Sequence, residues 1–200
     1  DGDVMSWHDS GETFIQPDGW IVCIDEGGEI LWQRTLGGSG QDALYGVVPV
    51  EGGYLAVGAT DSQDGDVSAN NGDLDGWAVL VSREGELLAS HCYGGNSEDV
   101  LTAVAAGPDG LLAIGYTWSW DNVETFLGCD GWALGLTGEG ELRFSQRVGA
   151  EGTQRAQIAL WRSGAWTVTG YTQLDGDGVR EWAITLPKGG QSWKMIRGEM

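Results

Sequence analysis

Apolar residues along this chain fall in short runs broken by turn chemistry. Between residues 43 and 93 there are four such runs, at 43–50, 54–60, 77–82 and 87–93. Each is rich in β-branched or aromatic residues, and each is bounded by Gly, Asp, Asn or Ser, the pattern of β-strands. Glu51-Gly52-Gly53 and Arg83-Glu84-Gly85 are connections of hairpin length, so the runs on either side of each pair antiparallel. The four strands are designated A to D. No segment offers several turns of helical periodicity free of Gly, so no helix is predicted.

The same pattern recurs. Asp18-Gly19-Trp20, Asp75-Gly76-Trp77 and Asp130-Gly131-Trp132 are 57 and 55 residues apart, and a degenerate Arg180-Glu181-Trp182 follows 50 residues later. Val57-Gly58-Ala59-Thr60, Ile114-Gly115-Tyr116-Thr117 and Thr169-Gly170-Tyr171-Thr172 recur with matching spacings, while Gly37-Gly38 answers Gly94-Gly95 and Asp42 answers Asp99. A whole unit of roughly 55 residues is therefore repeated about three and a half times.

Four antiparallel strands per unit at this period predict an all-β protein whose units are propeller blades, packed face to face around an axis. A solenoid is the alternative, although its repeats are usually shorter and carry fewer strands. The expected organisation is a half blade of strands C and D at 1–36, blades at 37–93 and 94–148, and a degenerate blade at 149–200. Fourteen strands result, and strands A and B of the first blade are missing from the count. The chain is therefore expected to be a partial propeller, either a fragment of a larger ring or one closed by a partner, and its open blade edge is expected to promote association. Trp20, Trp77, Trp132 and Trp182 recur in every copy and are expected to be packing anchors in the core.

Composition narrows the function. Gly accounts for 35 of 200 residues, far above the usual share of about 7%, which fits many tight turns. Ten basic and thirty acidic residues give a formal charge of −20. Such a surface repels phosphate backbones, so nucleic acid is not an expected partner, and no apolar run is long enough to insert into a membrane as a helix. Cys23, Cys92 and Cys129 are odd in number and occupy unrelated positions in the unit, which argues against a disulfide framework. No basic and apolar leader precedes Asp1 in this sequence, so any export signal is expected to have been removed or to lie outside it.

The string Leu36-Gly37-Gly38-Ser39 with Asp42, Gly52-Gly53-Tyr54, Gly58-x-Thr60 and DGDVSANNGDLDGW at 64–77 resembles a repeat of bacterial secreted and cell-surface β-propeller proteins. In that family a blade reads YGGS, Asp, GGY, GxT, a DGDVSGN-type loop, an aromatic, and a closing Gly-x-Ile-x-Trp, which Gly28-Glu29-Ile30-Leu31-Trp32 matches here. The resemblance spans nearly the whole chain and is poorest in the fourth unit, where Gln154 replaces the Asp. It implies a propeller architecture and an extracellular or cell-surface setting in bacteria, and carries no catalytic signature.

Strand parity places the loops joining B to C and D to A at one end of the blades, where their carboxylates and aromatics pool. Asp64, Asp66, Ser68 and Asn70 put side-chain oxygens at alternate positions, the spacing with which one loop wraps calcium; Asx-turns in a polar loop are the ordinary alternative. Trp7, Trp118 and Trp120, with Asp121, lie in polar loops without counterparts in other units. Indole faces beside carboxylates suit a carbohydrate ligand, whereas buried Trp also serves simply to anchor long loops.

Only two His and two Lys are present, and no nucleophile, zinc or phosphate-loop motif occurs, so the chain is not expected to be an enzyme. The reading that follows is a non-enzymatic, exported binding module for a glycan or protein on the acidic, Trp-containing loop face. The alternatives are a purely structural scaffold and a polysaccharide hydrolase or lyase whose paired acids hide among the loop carboxylates.

Overall fold

The computed structural model describes residues 17–119, 128–148, 152–174, 178–187 and 194–196. Within them the chain is all-β, with fourteen strands in four antiparallel sheets. The first sheet pairs β1 (Gly19–Ile24) with β2 (Ile30–Leu36). The second is a meander of β3 (Asp42–Val50), β4 (Gly53–Thr60), β5 (Asp75–Ser82) and β6 (Leu87–Tyr93). The third runs β7 (Asp99–Gly107), β8 (Gly110–Thr117), β9 (Asp130–Leu136) and β10 (Leu142–Val148). The fourth runs β11 (Thr153–Arg162), β12 (Ala165–Gln173), β13 (Val179–Pro187) and β14 (Lys194–Ile196). The sheets do not close into a ring.

Local chemistry sets the hairpins. Between the last two strands of a sheet, Asp25, Ser82 and Thr137 each accept two backbone N–H bonds, from the residues two and four positions on. Gly28, Gly85 and Gly140 then complete the turn at φ of 85° to 87°, a left-handed conformation that only Gly adopts without strain. The Gly-x-Thr landmark has a different cause. The first strand of each complete sheet carries a bulge, at Leu44/Gly46, Leu101/Ala103 and Ala156/Ile158. A Cβ on Gly58, Gly115 or Gly170 would lie within 2.2 Å of the carbonyl oxygen facing it, from Ala43, Val100 or Arg155.

Successive sheets stack face to face. In β4 and β5, Leu55, Val57 and Ala78 face the third sheet, where they join Leu111, Trp132 and Leu134 in one core. Their alternate neighbours Ala56, Trp77, Val79 and Val81 face the first sheet and join Leu36. The third and fourth sheets meet through Leu112, Ile114, Val168, Trp182 and Ile184. Middle strands with both faces covered read as unbroken apolar runs, which is why 54–60 and 77–82 stand out in the sequence.

Each junction uses the same contact. A Cβ on Gly19 would lie 3.2 Å from Trp77, one on Gly76 2.9 Å from Trp132, and one on Gly131 3.4 Å from Trp182. The indoles of Trp77, Trp132 and Trp182 thus lie on the glycine of the preceding Asp-Gly-Trp. A backbone bond repeats beside it: the N–H groups of Asp42, Asp99 and Gln154 donate to the carbonyls of Pro17, Leu74 and Cys129, at 2.7, 2.6 and 2.8 Å. Trp77, Trp132 and Trp182 are buried by this arrangement. Trp20 is not. Its side chain is 44% exposed, correcting the expectation of a core anchor in every copy, because its row faces away from the second sheet and no described sheet precedes it.

The indole N–H groups follow the repeat as well: Trp20, Trp77 and Trp132 donate to Gln33, Ser90 and Ser145, each thirteen residues on. At Trp182 the residue thirteen positions on is Met195, and among the described residues this buried Nε1 has no hydrogen-bond partner.

Removing an indole should therefore have position-dependent costs. Trp132→Ala is expected to destabilise by about 3–5 kcal/mol, the range for deleting a large aromatic from a packed core. Trp20→Ala is expected to stay within about 1 kcal/mol, as for exposed sites. Equilibrium urea denaturation of the two variants measures the difference.

Candidate functional site

The loops joining the second strand of a sheet to the third, and those joining one sheet to the next, meet at one end of the stack. Ser39 donates its N–H to Asp64 Oδ1 at 2.7 Å, Gly40 to Ser62 Oγ at 2.8 Å, and Gln41 to Asp61. Ser97 repeats the second bond with Ser119, and Trp118 donates its N–H to the Glu98 carbonyl.

The candidate calcium loop has internal work to do. Asp64 holds Ser39; Asp66 accepts from Gly37 at 3.4 Å and lies 4.0 Å from Arg34. Ser68 donates to the Ser90 carbonyl, and Asn70 donates to the Thr60 carbonyl while accepting from Gly72. These bonds tie the loop to its neighbours, a structural role that needs no cation.

Several acids at this end of the stack are buried. Asp42 takes hydrogen bonds from Gly38, Thr60 and Ser62, and Asp99 from Gly95 and Ser119. Asp75 accepts both the backbone and side-chain N–H of Asn71. Asp75 and Asp99 belong to adjoining sheets, and a Gly94 Cβ would sit 2.4 Å from Asp75 Oδ1 and 2.6 Å from Asp99 Oδ2. Among the described residues, Oδ1 of each is buried without a hydrogen-bond partner. Burial pushes Asp75 above the ordinary aspartate pKa, and the Asp99 charge adds to the shift. Burial likewise raises Asp42 and Asp130. At the third junction the position of Asp99 is taken by Gln154, buried and neutral, whose amide donates to the Gly152 carbonyl.

Beside that third junction lies a cleft of about 310 Å³, lined by Thr102, Tyr116, Arg155, Ala156, Gln157 and Tyr171. The Arg155 guanidinium stacks over the Tyr116 ring, 4.1 Å from its centroid, and the Tyr116 hydroxyl donates to Glu98 at 2.6 Å. Desolvation, reinforced by Glu98, raises the Tyr116 pKa, so the phenol stays neutral and remains a donor. Tyr171 pairs with Arg155 across the β11–β12 ladder. The resulting surface combines aromatic rings with a fixed cation, an amide and a hydroxyl.

Trp118 is half-buried and packs on a cluster of Ala59, Val100, Tyr116 and Cys129, so it shares Tyr116 with the cleft. Trp7, Trp120 and Asp121 lie outside the described residues. Cleft residues Tyr116, Arg155, Gln157 and Tyr171 were missed by reading the sequence. The available signal was the Tyr that enters the Gly-x-Thr landmark in the third and fourth units, where the second has Ala59, together with the lone Arg beside Gln154. The three cysteines are free, and burial pushes the Cys92 thiol up to about 12, which leaves it unreactive. Neither a family model nor a curated protein matches the chain.

The buried acids set a pH dependence. A carboxyl whose pKa is raised by folding favours the fold when protonated, so the penalty is fully present above the folded pKa and is relieved as pH falls toward the unfolded value of 3.8. Asp75→Asn is therefore expected to stabilise the protein at neutral pH by about 1 kcal/mol, a gain of about 2–4 °C in Tm for a chain of this size. It should also flatten the rise in Tm on mild acidification. Calorimetry across pH checks both, and a loss of Tm at neutral pH would mean that the carboxylate is held ionised by a bound cation.

Proposed function

We propose that the chain is a non-enzymatic binding module of propeller-type blades, exported or displayed on a bacterial surface, that holds a glycan in the cleft beside its third junction. The observation that carries this reading is the Arg155–Tyr116 stack facing Gln157, Thr102 and Tyr171. Sugars present C–H faces that pack on aromatic rings and hydroxyls that pair with guanidinium and amide groups. The volume falls at the small end of ligand clefts, suited to one or two sugar rings rather than a protein segment. Among ten basic residues in a chain of net charge −20, Arg155 is a cation placed where a hydroxyl-rich or acidic sugar could use it. Trp118 supports the rim of the same cleft through Tyr116.

The bonds within the 61–74 loop favour a second reading, a scaffold whose loops serve only to join blades. A glycan array separates the two. Binding by the native chain that weakens about tenfold in Kd, or ~1.4 kcal/mol, on Arg155→Ala or Gln157→Ala assigns the cleft. An array that stays dark across neutral and acidic glycans favours the scaffold.

A further inference from the structure

The fourth unit alters the charge beside the cleft at two adjacent positions. Strand register makes Ala43, Val100 and Arg155 equivalent, for they pair across the ladder with Ala59, Tyr116 and Tyr171. The residues before them are Asp42, Asp99 and Gln154. A negative charge is thus removed and a positive one added where the other complete sheets have an Asp followed by an apolar residue. Further along the strand, the bulges leave Thr102 and Gln157 outside the ladder at matching places in adjoining sheets, and both line the cleft. A bulge re-aims the side chain it carries.

Among the described residues, the guanidinium placed there has no carboxylate partner. Arg34 pairs with Asp66 and Glu86, and the Arg147 charge acts on Asp130. Glu98, the acid at the rim, accepts the Tyr116 hydroxyl at 2.6 Å and forms no ion pair with Arg155. The groups flanking the guanidinium are the Tyr116 ring and the Cys129 thiol, both kept neutral by burial, which raises their pKa values. Thr102 donates to the Ala156 carbonyl at 3.0 Å, so toward a ligand its oxygen is an acceptor.

We infer that the sugar held in this cleft is an acidic one, and that Arg155 takes its single carboxylate on the edge of the guanidinium while the face stays on Tyr116. This rests on the glycan reading of the cleft and names the class of sugar. Stacking occupies the face of the guanidinium and leaves the N–H donors, which lie in its plane, for a ligand. Those donors form a fork that matches the two oxygens of a carboxylate. A sulfate ester offers the same charge without the planar pair of oxygens. A neutral ring seated here would displace water from a charge and return only hydroxyl hydrogen bonds, whereas a carboxylate compensates the charge it covers. Polyanions are disfavoured by the net charge of −20, which repels each further anionic group; one acidic ring among neutral ones escapes most of that repulsion. A uronate- or sialate-type residue has this form. The Gln157 amide and the Thr102 oxygen remain for the ring hydroxyls beside the carboxylate.

The test applies the full chain to an array of short oligosaccharides ending in glucuronate, galacturonate or sialate, printed beside their neutral counterparts and sulfated ones. Each acidic glycan that binds is then carboxyl-reduced, which turns the carboxylate into a hydroxymethyl group and leaves the rest of the glycan unchanged. Calorimetry gives Kd for both forms. Acidic glycans are expected to bind about tenfold tighter than their reduced forms, the difference between charged and neutral hydrogen bonds. Arg155→Gln is expected to erase that preference, and Arg155→Lys, which keeps the charge but not the fork, to retain only part of it. Carboxyl reduction needs no variant and decides the matter even if Arg155→Gln does not fold. Three results overturn the assignment of the carboxylate while leaving a glycan in the cleft: neutral glycans that bind as tightly as acidic ones, a preference that survives in folded Arg155→Gln, or sulfated glycans preferred over carboxylated ones. An array dark throughout overturns the glycan reading and the acidic sugar together.

Discussion

An indole lying on a bare glycine is the contact on which this stack depends. It fixes the spacing of sheets, because a Cβ on Gly76 would come within 2.9 Å of Trp132. It also explains why Asp, Gly and Trp recur as a block: the Trp covers the preceding sheet, and the Gly receives the following one. The backbone bonds from Asp42, Asp99 and Gln154 to the preceding sheet then pin the register at the loop end. Hydrophobic burial alone would let two flat apolar faces slide. A large aromatic seated on one glycine and a directional bond beside it leave one registration.

The same closeness carries an electrostatic cost. Bringing the starts of adjoining sheets together places Asp75 beside Asp99 out of solvent. Hydrogen bonds from Asn71, Gly95 and Ser119 offset part of this, yet one oxygen of each carboxylate is left without a partner. Native structures retain few such atoms, and each raises the question of what neutralises it. Protonation is one answer available to the molecule, and the fourth unit carries another, a neutral Gln154 at the position of Asp99. Charge count alone does not distinguish these buried carboxylates from solvent-facing ones.

Strand existence, order and pairing were largely legible, because period-2 alternation and Gly-containing turns act over a few residues, and three copies reinforce one another. The runs 43–50, 54–60, 77–82 and 87–93 match β3 to β6 to within two residues. What sequence could not give depends on who faces whom. Trp20 has the same local motif as Trp77, yet is exposed, since burial of that row belongs to the preceding sheet and not to the residue's own strand. Gly58 reads as a landmark, while its cause, a bulge carbonyl from Ala43, lies fifteen residues away on the neighbouring strand. The cleft escaped notice because Arg155 reaches it from one sheet and Tyr116 from another.

In a repeat protein the shared residues specify the fold, so specific chemistry has to come from departures from the repeat. Those departures concentrate in the fourth unit. Gln154 stands for an Asp and removes one charge from the junction; its neighbour Arg155 places a cation on Tyr116. Glu181, Thr167 and Thr169 stand where the inner sheets have Gly, Leu and Val or Ile, beside the exposed Ile158 and Leu160, and the sequence has Met195 where the counterparts of Trp182 have a polar residue. They fall at the third junction, in the cleft beside it and on the outward face of the last sheet. The unit that matches the pattern least well is therefore the one whose side-chain chemistry departs furthest from that of the other copies.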